Sequence, residues 1–294
     1  MTDTIQLELD GISFELKESH SFDWIARLGT VFRVFDQQDS GNLSFGVLGQ
    51  DGKRKFVKYA GARTIHANSL SAPAEAIHCL KSSASIYEDL AHDTLIRLKD
   101  HFATEHGYAC VFDWVEGECL HSHWDFPPPA KYDDPLSPYY RFRQLPVKTR
   151  IQAMEQILDF HIEVERRGYV AVDFYDGSLI YDFDIQMMKI CDIDLYRKGS
   201  FMNTMGRMWG SSRFMSPEEF ELGARIDGVT NVFNMGAIAF TLFGGELDRS
   251  YARWDAGEAL YQVVIRAIDP ERARRYASVA ELGAAWKKAK LQDK

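Results

Sequence analysis

The strongest constraint on the fold is a change of periodicity along the chain. In the first 60 residues apolar and polar side chains alternate, the period of a half-buried strand. Ile5-Gln-Leu-Glu-Leu and Ile12-Ser-Phe-Glu-Leu begin the series, and Thr30-Val-Phe-Arg-Val-Phe, Leu43-Ser-Phe-Gly-Val-Leu and Lys55-Phe-Val-Lys-Tyr continue it. A polar tip, Asp36 to Asn42, separates the third run from the fourth, and Gln50-Asp-Gly makes a hairpin signal before the fifth. This pattern predicts an antiparallel meander. Pro73 suits the first turn of a helix carrying Ile77, Leu80, Ala84, Tyr87 and Leu90 at helical spacing. Leu95-Ile-Arg-Leu and Tyr108-Ala-Cys-Val-Phe read as two further strands, so the first third is a sheet with one long helix.

The remainder is mostly helical. Residues 121–146 hold six of the nine prolines together with Trp124, Phe126, Tyr132, Tyr139, Tyr140 and Phe142. That composition predicts an ordered loop that either packs on the helical part or presents a docking surface. Ile151, Met154, Ile157, Leu158, His161, Ile162 and Val164 mark an amphipathic helix stopped at Gly168. Tyr169-Val-Ala-Val and Met188-Lys-Ile-Cys are short apolar runs, and from Pro217 the chain reads helical. The most apolar stretch, Val232–Phe243, is shorter than the roughly 20 residues a bilayer needs, so it is expected to be a buried core helix.

With 46% hydrophobic and 26% charged residues the chain has the makeup of a soluble globular protein. A net charge of −9 argues against general nucleic-acid binding, since the basic run Arg272–Arg275 reads as a solvated helix end. Cys79, Cys110, Cys119 and Cys191 form no CxxC pair and are expected to be free thiols in a reducing compartment. Met1-Thr-Asp-Thr-Ile-Gln lacks the features of a secretory signal, so the expectation is a cytoplasmic protein with no membrane partner.

Three patterns late in the chain carry more specific information. Gly210-Ser-Ser-Arg-Phe-Met-Ser-Pro-Glu218 is similar to the end of a protein-kinase activation segment, G-[TS]-x-x-Y-M-A-P-E. Thr230-Asn-Val-Phe-Asn-Met-Gly236 resembles the T-D-V-Y-S-L-G helix start of that family, and Asp269-Pro-Glu-Arg-Ala-Arg-Arg-Tyr-Ala-Ser278 resembles its D-P-x-x-R-x-S close. In this order they make the chain resemble the protein-kinase superfamily over nearly its whole length, in the manner of a divergent bacterial serine/threonine kinase. The resemblance implies an α+β, two-lobed fold. An antiparallel N-terminal lobe would span 1–112, with a hinge at 113–120, the Pro/aromatic insert at 121–146 and a helical lobe at 147–294. It also implies a buried ion pair between Glu218 and Arg275.

The resemblance implies roles for earlier residues. Lys58, a mid-strand lysine that otherwise reads as an edge residue facing water, stands where the family holds the α/β-phosphates of ATP. Asp173 matches the catalytic-loop aspartate that orients the attacking hydroxyl, and Asp192 matches the Mg²⁺-binding aspartate; by themselves both would read as loop carboxylates capping turns. The backbone at Asp113 and Val115 would pair with adenine, with Phe112 behind it, and the backbone at Ser40, Gly41 and Asn42 would cover phosphates. Glu75 is the expected helix glutamate partner of Lys58, with Ser83 the position given by the other count; alternatively Glu75 is an exposed first-turn carboxylate stabilised by the helix dipole.

Departures from the family pattern are equally definite. The phosphate loop holds only Gly41 and Gly46, and H-R-D is replaced by Ala171-Val172-Asp173. The loss of that arginine implies activity independent of phosphorylation at Thr204, Ser211 or Ser212. The loop lysine is Tyr175, and the second metal ligand is Ser178, with Asp176 as a substitute. D-F-G becomes Asp192-Ile193-Asp194, and the aspartate of the following helix becomes Asn231. Two functions follow: ATP- and Mg²⁺-dependent phosphoryl transfer to Ser/Thr hydroxyls of a protein, or a pseudokinase scaffold that binds partners without catalysis.

Overall fold

A computed structural model describes residues 4–38, 41–65 and 73–292. The chain is α+β and divides into two compact units, 1–115 and 116–294. Among the described residues no helix is long and apolar enough to cross a membrane.

The first unit begins with a hairpin, β1 (Ile5–Leu9) and β2 (Ile12–Leu16), paired in antiparallel register. β3 (Thr30–Phe35), β4 (Leu43–Leu48), β5 (Arg54–Ala60), β6 (Leu98–Ala103) and β7 (Tyr108–Asp113) form one antiparallel sheet in the order β3-β4-β5-β7-β6. The alternation expected for the meander is realised directly. Val57 and Tyr59 point into a core with Phe14, Phe45 and Val111, while Lys58 faces the other side beside its cross-strand neighbours Ser44 and Cys110. That second face is covered by α1 (Pro73–Asp89), whose inward row is Leu80, Ser83, Ala84 and Tyr87. The Tyr87 ring meets Phe112 edge-on with centroids 4.9 Å apart.

One strand lies elsewhere than its apolar content suggests. Leu95 and Ile96 are buried, but they lead into the strand; β6 itself is the more polar Leu98–Ala103.

The second unit contains β8 (Glu118–Cys119), α2 (Ala130–Asp133), α3 (Pro138–Arg143), α4 (Val147–Arg166), β9 (Tyr169–Val170), β10 (Leu179–Asp182) and β11 (Met187–Ile190). It continues with β12 (Arg197–Lys198), β13 (Phe201–Met202), β14 (Arg225–Ile226), α5 (Gly228–Phe243), α6 (Glu258–Ala267) and α7 (Val279–Ala289). β10 pairs with both β11 and β8. The long helices pack around α5, in which every residue from Thr230 to Phe243 is buried. A helix apolar on all sides has no solvent face to offer, which fixes it as the centre of the unit. Asp227 caps it by accepting from the Val229 N–H at 3.0 Å. α4 ends where Gly168 takes φ +76°, a left-handed stop that a glycine adopts without Cβ strain.

Residues 121–146 are the ordered, packed segment their composition predicts, mostly turns and irregular backbone but with two short helices. They hold α2 and α3, because Pro129, Pro138 and Pro146 each stand at the start of a helix, where a missing N–H costs nothing. Ser137 caps α3, Tyr139 donates its hydroxyl to the Thr241 carbonyl at 2.9 Å, and Phe142 packs on Tyr181. The insert is therefore built into the helical unit, although Trp124 and Tyr132 remain exposed.

Arg272–Arg275 also departs from expectation. It is no solvated helix end. Arg275 is 3% exposed and grips Glu218 through two bonds, Nη1 to Oε1 at 2.7 Å and Nη2 to Oε2 at 3.0 Å. Arg272 donates to the same Glu218 and to Asp227, both at 2.6 Å. The buried pair expected between Glu218 and Arg275 is formed, and it holds the carboxyl below its ordinary range against the opposing effect of burial.

Candidate active site

In the first unit, Lys58 is 7% exposed at the middle of β5. Long side chains with an ammonium group are seldom buried this deeply without a polar purpose. Gly41, with φ +76°, and Asn42 are buried just before β4, while Ser40 lies outside the described residues. At the end of β7 the Trp114 N–H donates to Arg54 on the β5 side, so the peptide groups of Asp113 point the opposite way. There the Asp113 N–H donates to the Arg97 carbonyl at 3.0 Å. Val115 is the last residue of this unit. Glu75 is exposed in the first turn of α1, off the inward row, whereas Ser83 is fully buried and donates to the Leu80 carbonyl.

In the second unit the two aspartates act on the same two buried tyrosines. The hydroxyls of Tyr175 and Tyr196 are pushed above the ordinary tyrosine range by burial first, then by Asp192, then by Asp173. Both carboxylates are therefore near enough to act electrostatically on the same pair of phenols. The His161 ring orients one of them. Its Nδ1 lies 2.8 Å from the Ile157 carbonyl, which can only accept, so Nδ1 carries the proton and Nε2 accepts from Tyr196 at 2.8 Å.

Asp173 sits at φ +58°, the left-handed region that aspartate tolerates better than most residues. The loop around it is held by α5. Asn231 accepts from the Ala171 N–H at 2.8 Å and donates to the Tyr169 carbonyl at 3.2 Å. Asn234 donates to the Phe174 carbonyl at 2.8 Å and to that of Phe214 at 3.5 Å. Asn231 thus braces the loop by neutral hydrogen bonds alone. Gly210 abuts the same carboxylate: a Cβ there would lie 3.4 Å from Asp173 Oδ1.

Ser178 is completely buried, and its Oγ has no hydrogen-bond partner. Its backbone carbonyl accepts from Cys191, the residue before Asp192, at 2.9 Å. An unpartnered buried hydroxyl whose backbone is hydrogen-bonded to the residue preceding Asp192 is of a kind that suits a hard cation, since Mg²⁺ takes one or two protein oxygens and completes its shell with water and phosphate. No cluster of three or more His, Cys, Asp or Glu suited to a metal occurs among the described residues.

Asp176, the expected substitute ligand, is otherwise engaged. It is fully buried, and it accepts from Lys131 Nζ at 2.6 Å and from Arg213 Nη1 and Nη2 at 2.9 and 2.7 Å. These cations hold its carboxyl below the ordinary range although burial pushes the other way. Glu246 completes the group, accepting from Lys131 at 2.5 Å, from Arg213 at 3.1 Å and from the Tyr132 hydroxyl at 2.9 Å. Beside it, His121 has a ring buried enough to push its pKa down to about 4, opposed by Asp176 at 4.0 Å.

No family model matches the chain. It is similar to the serine/threonine-protein kinase pkn2 of Myxococcus xanthus, with 21% identity over 284 aligned positions covering 85% of this chain and 31% of that protein. The chain thus spans about a third of the length of the relative it matches. A kinase-like relationship is the extent of that likeness.

Proposed function

We propose that the chain is a protein-kinase-like phosphotransferase, acting on Ser or Thr hydroxyls of a protein with ATP and Mg²⁺. The observation that supports this best is the bracing of the Asp173 loop by Asn231 and Asn234 of α5, with Gly210 of the 210–218 segment against the Asp173 carboxylate. With it goes the buried, unpartnered hydroxyl of Ser178, whose backbone carbonyl accepts from Cys191, the residue before Asp192. In this reading Asp173 orients the acceptor hydroxyl and takes its proton as the oxygen bonds to the γ-phosphorus and the bond to ADP breaks. Asp192 and Ser178 would hold the metal, which when bound would supply charge neutralisation at the phosphates. Lys58 would hold the α/β-phosphates, the backbone at Gly41 and Asn42 would cover them, and the Asp113 carbonyl and the Val115 peptide groups would be offered to adenine.

A scaffold without catalysis is the second reading. Tyr175 in place of a lysine and the commitment of Asp176 to Lys131 and Arg213 favour it, because they remove a cation and a spare metal ligand from the loop.

Thermal melting with millimolar ATP separates the two, since a ligand bound to the native state raises the midpoint. The enzyme reading expects a Mg²⁺-dependent rise that Asp192→Ala abolishes, together with radiolabel transfer to a basic protein. Asp173→Asn is the variant of choice, because asparagine tolerates the same φ; a loss of at least ~100-fold in transfer is expected. Equal labelling by wild type and Asp173→Asn would remove Asp173 from its role.

A further inference from the structure

The insert carries a residue with no counterpart in the motifs of the second unit. Lys131, on α2, is 1% exposed, and its ammonium is enclosed by Asp176, Glu246 and the faces of Tyr132 and Tyr139. With Arg213 it makes a buried cage of two cations and two carboxylates that is neutral as a whole. Such a cage is a poor source of stability, because each ion loses its water shell; what it provides is a fixed geometry among the segments that contribute to it.

Those segments are the ones that touch Asp173. Asp176 lies three residues beyond Asp173 on the same loop, and Arg213 lies three residues beyond Gly210, which abuts the Asp173 carboxylate. Asn231 and Asn234 of α5 clamp the loop through its backbone at Tyr169, Ala171 and Phe174. Among the described residues the strong side-chain anchor of 176–178 is the cage on Asp176, with only weak thiol bonds from Cys119 and Cys191 to the Gly177 carbonyl beside it. We infer that Lys131 is a positioning residue: delivered by the insert, it fixes Asp176 and so sets the orientation of Asp173 and the placing of Ser178. The insert is then an internal brace of the site, which is why Tyr139 and Phe142 seal it onto α5 and β10.

This inference deepens the phosphotransferase reading and rests on it for its catalytic half, whereas its structural half stands alone. Two measurements on the full chain keep them apart. The first is amide hydrogen exchange over residues 171–178 in Lys131→Met. The brace expects at least tenfold faster exchange there, with α5 and α7 unchanged. The second is transfer kinetics. Lys131→Met is expected to lower kcat by ~30-fold or more while KM for ATP stays within about twofold, and Lys131→Arg to recover most of it, since displacements of about 1 Å suffice for losses near 10²-fold. Should Lys131→Met fail to fold, Lys131→Met/Glu246→Gln keeps the cage neutral and takes its place in both measurements. Unchanged exchange over 171–178 in a folded variant overturns the brace. A lower melting point with kcat and exchange both intact does so too, because a merely structural role predicts that result. If wild type transfers no phosphate, the phosphotransferase reading fails, and the exchange data alone decide whether Lys131 holds the loop.

Discussion

Replacing Arg275 by methionine tests the energetics of the second unit most directly. The guanidinium makes two bonds to Glu218 and further bonds to the carbonyls of Asp269 at 2.7 Å, Pro270 at 3.3 Å and Val229 at 3.4 Å. Methionine fills much of the stem volume but restores none of these. Removing one partner of a buried pair typically costs about 3–5 kcal/mol, because the other charge is stranded. Here Glu218 keeps Arg272 at 2.6 Å and the Thr230 hydroxyl at 3.1 Å. The loss is therefore expected at the lower end, about 3 kcal/mol. For a folding unit of this size that corresponds to a fall in Tm of roughly 6–12 °C. Calorimetry of wild type, Arg275→Met, Glu218→Gln and the double variant measures it, and the cycle should return a coupling of about 2 kcal/mol. A fall below about 2 °C, equivalent to less than ~1 kcal/mol, would refute the claim that the bidentate pair ties the 210–218 segment to the end of the chain.

Two further outcomes are expected. Glu219 is pushed up to about 7, mainly by burial with Glu218 adding to it, so its folded form holds a proton more tightly than the unfolded chain. Its contribution is fully present below the ordinary value and is lost as pH rises through about 7; denaturation midpoints should therefore show stability falling by about 3 kcal/mol at most between pH 5 and 8, and Glu219→Gln should flatten that slope. Asn231→Leu strands the Ala171 N–H and the Tyr169 carbonyl, both buried, at a cost of about 2–5 kcal/mol, whereas Asn231→Asp keeps the acceptor and loses only the donor, costing about 1–3 kcal/mol; chemical denaturation distinguishes the two.

Where one local rule decided the structure, the sequence revealed it. β1 to β5 follow from period-two alternation between turn residues, and α5 follows from the mostly apolar stretch Val232–Phe243, too short to span a bilayer. Legibility failed where two rules competed. Leu95 and Ile96 are apolar because they are buried, and strand pairing falls on the more polar residues that follow. β10 is only four residues long and is defined by partners on both sides. The insert's prolines looked like helix breakers and act as helix starters. Within the candidate site, Asp173, Asp192 and Ser178 were singled out by the resemblance, from their place in the motifs. Lys131 was not, since its partners stand 45 and 115 residues away and no local pattern marks it. Arg272 and Arg275 were misjudged as a group because a run of cations looks alike whether it meets water or buried carboxylates.

The thiols around the candidate site lend themselves to a chemical readout. Cys119 and Cys191 both direct their S–H toward the Gly177 carbonyl, at 3.4 and 3.7 Å. Burial pushes the Cys119 thiol up to about 12, which leaves little thiolate at neutral pH and slows its reaction with alkylating reagents. Any event that loosens residues 176–178 would unmask a nucleophile at that spot. Mass-spectrometric footprinting with a maleimide would then record opening of the loop at Cys119 and Cys191, without any engineered label.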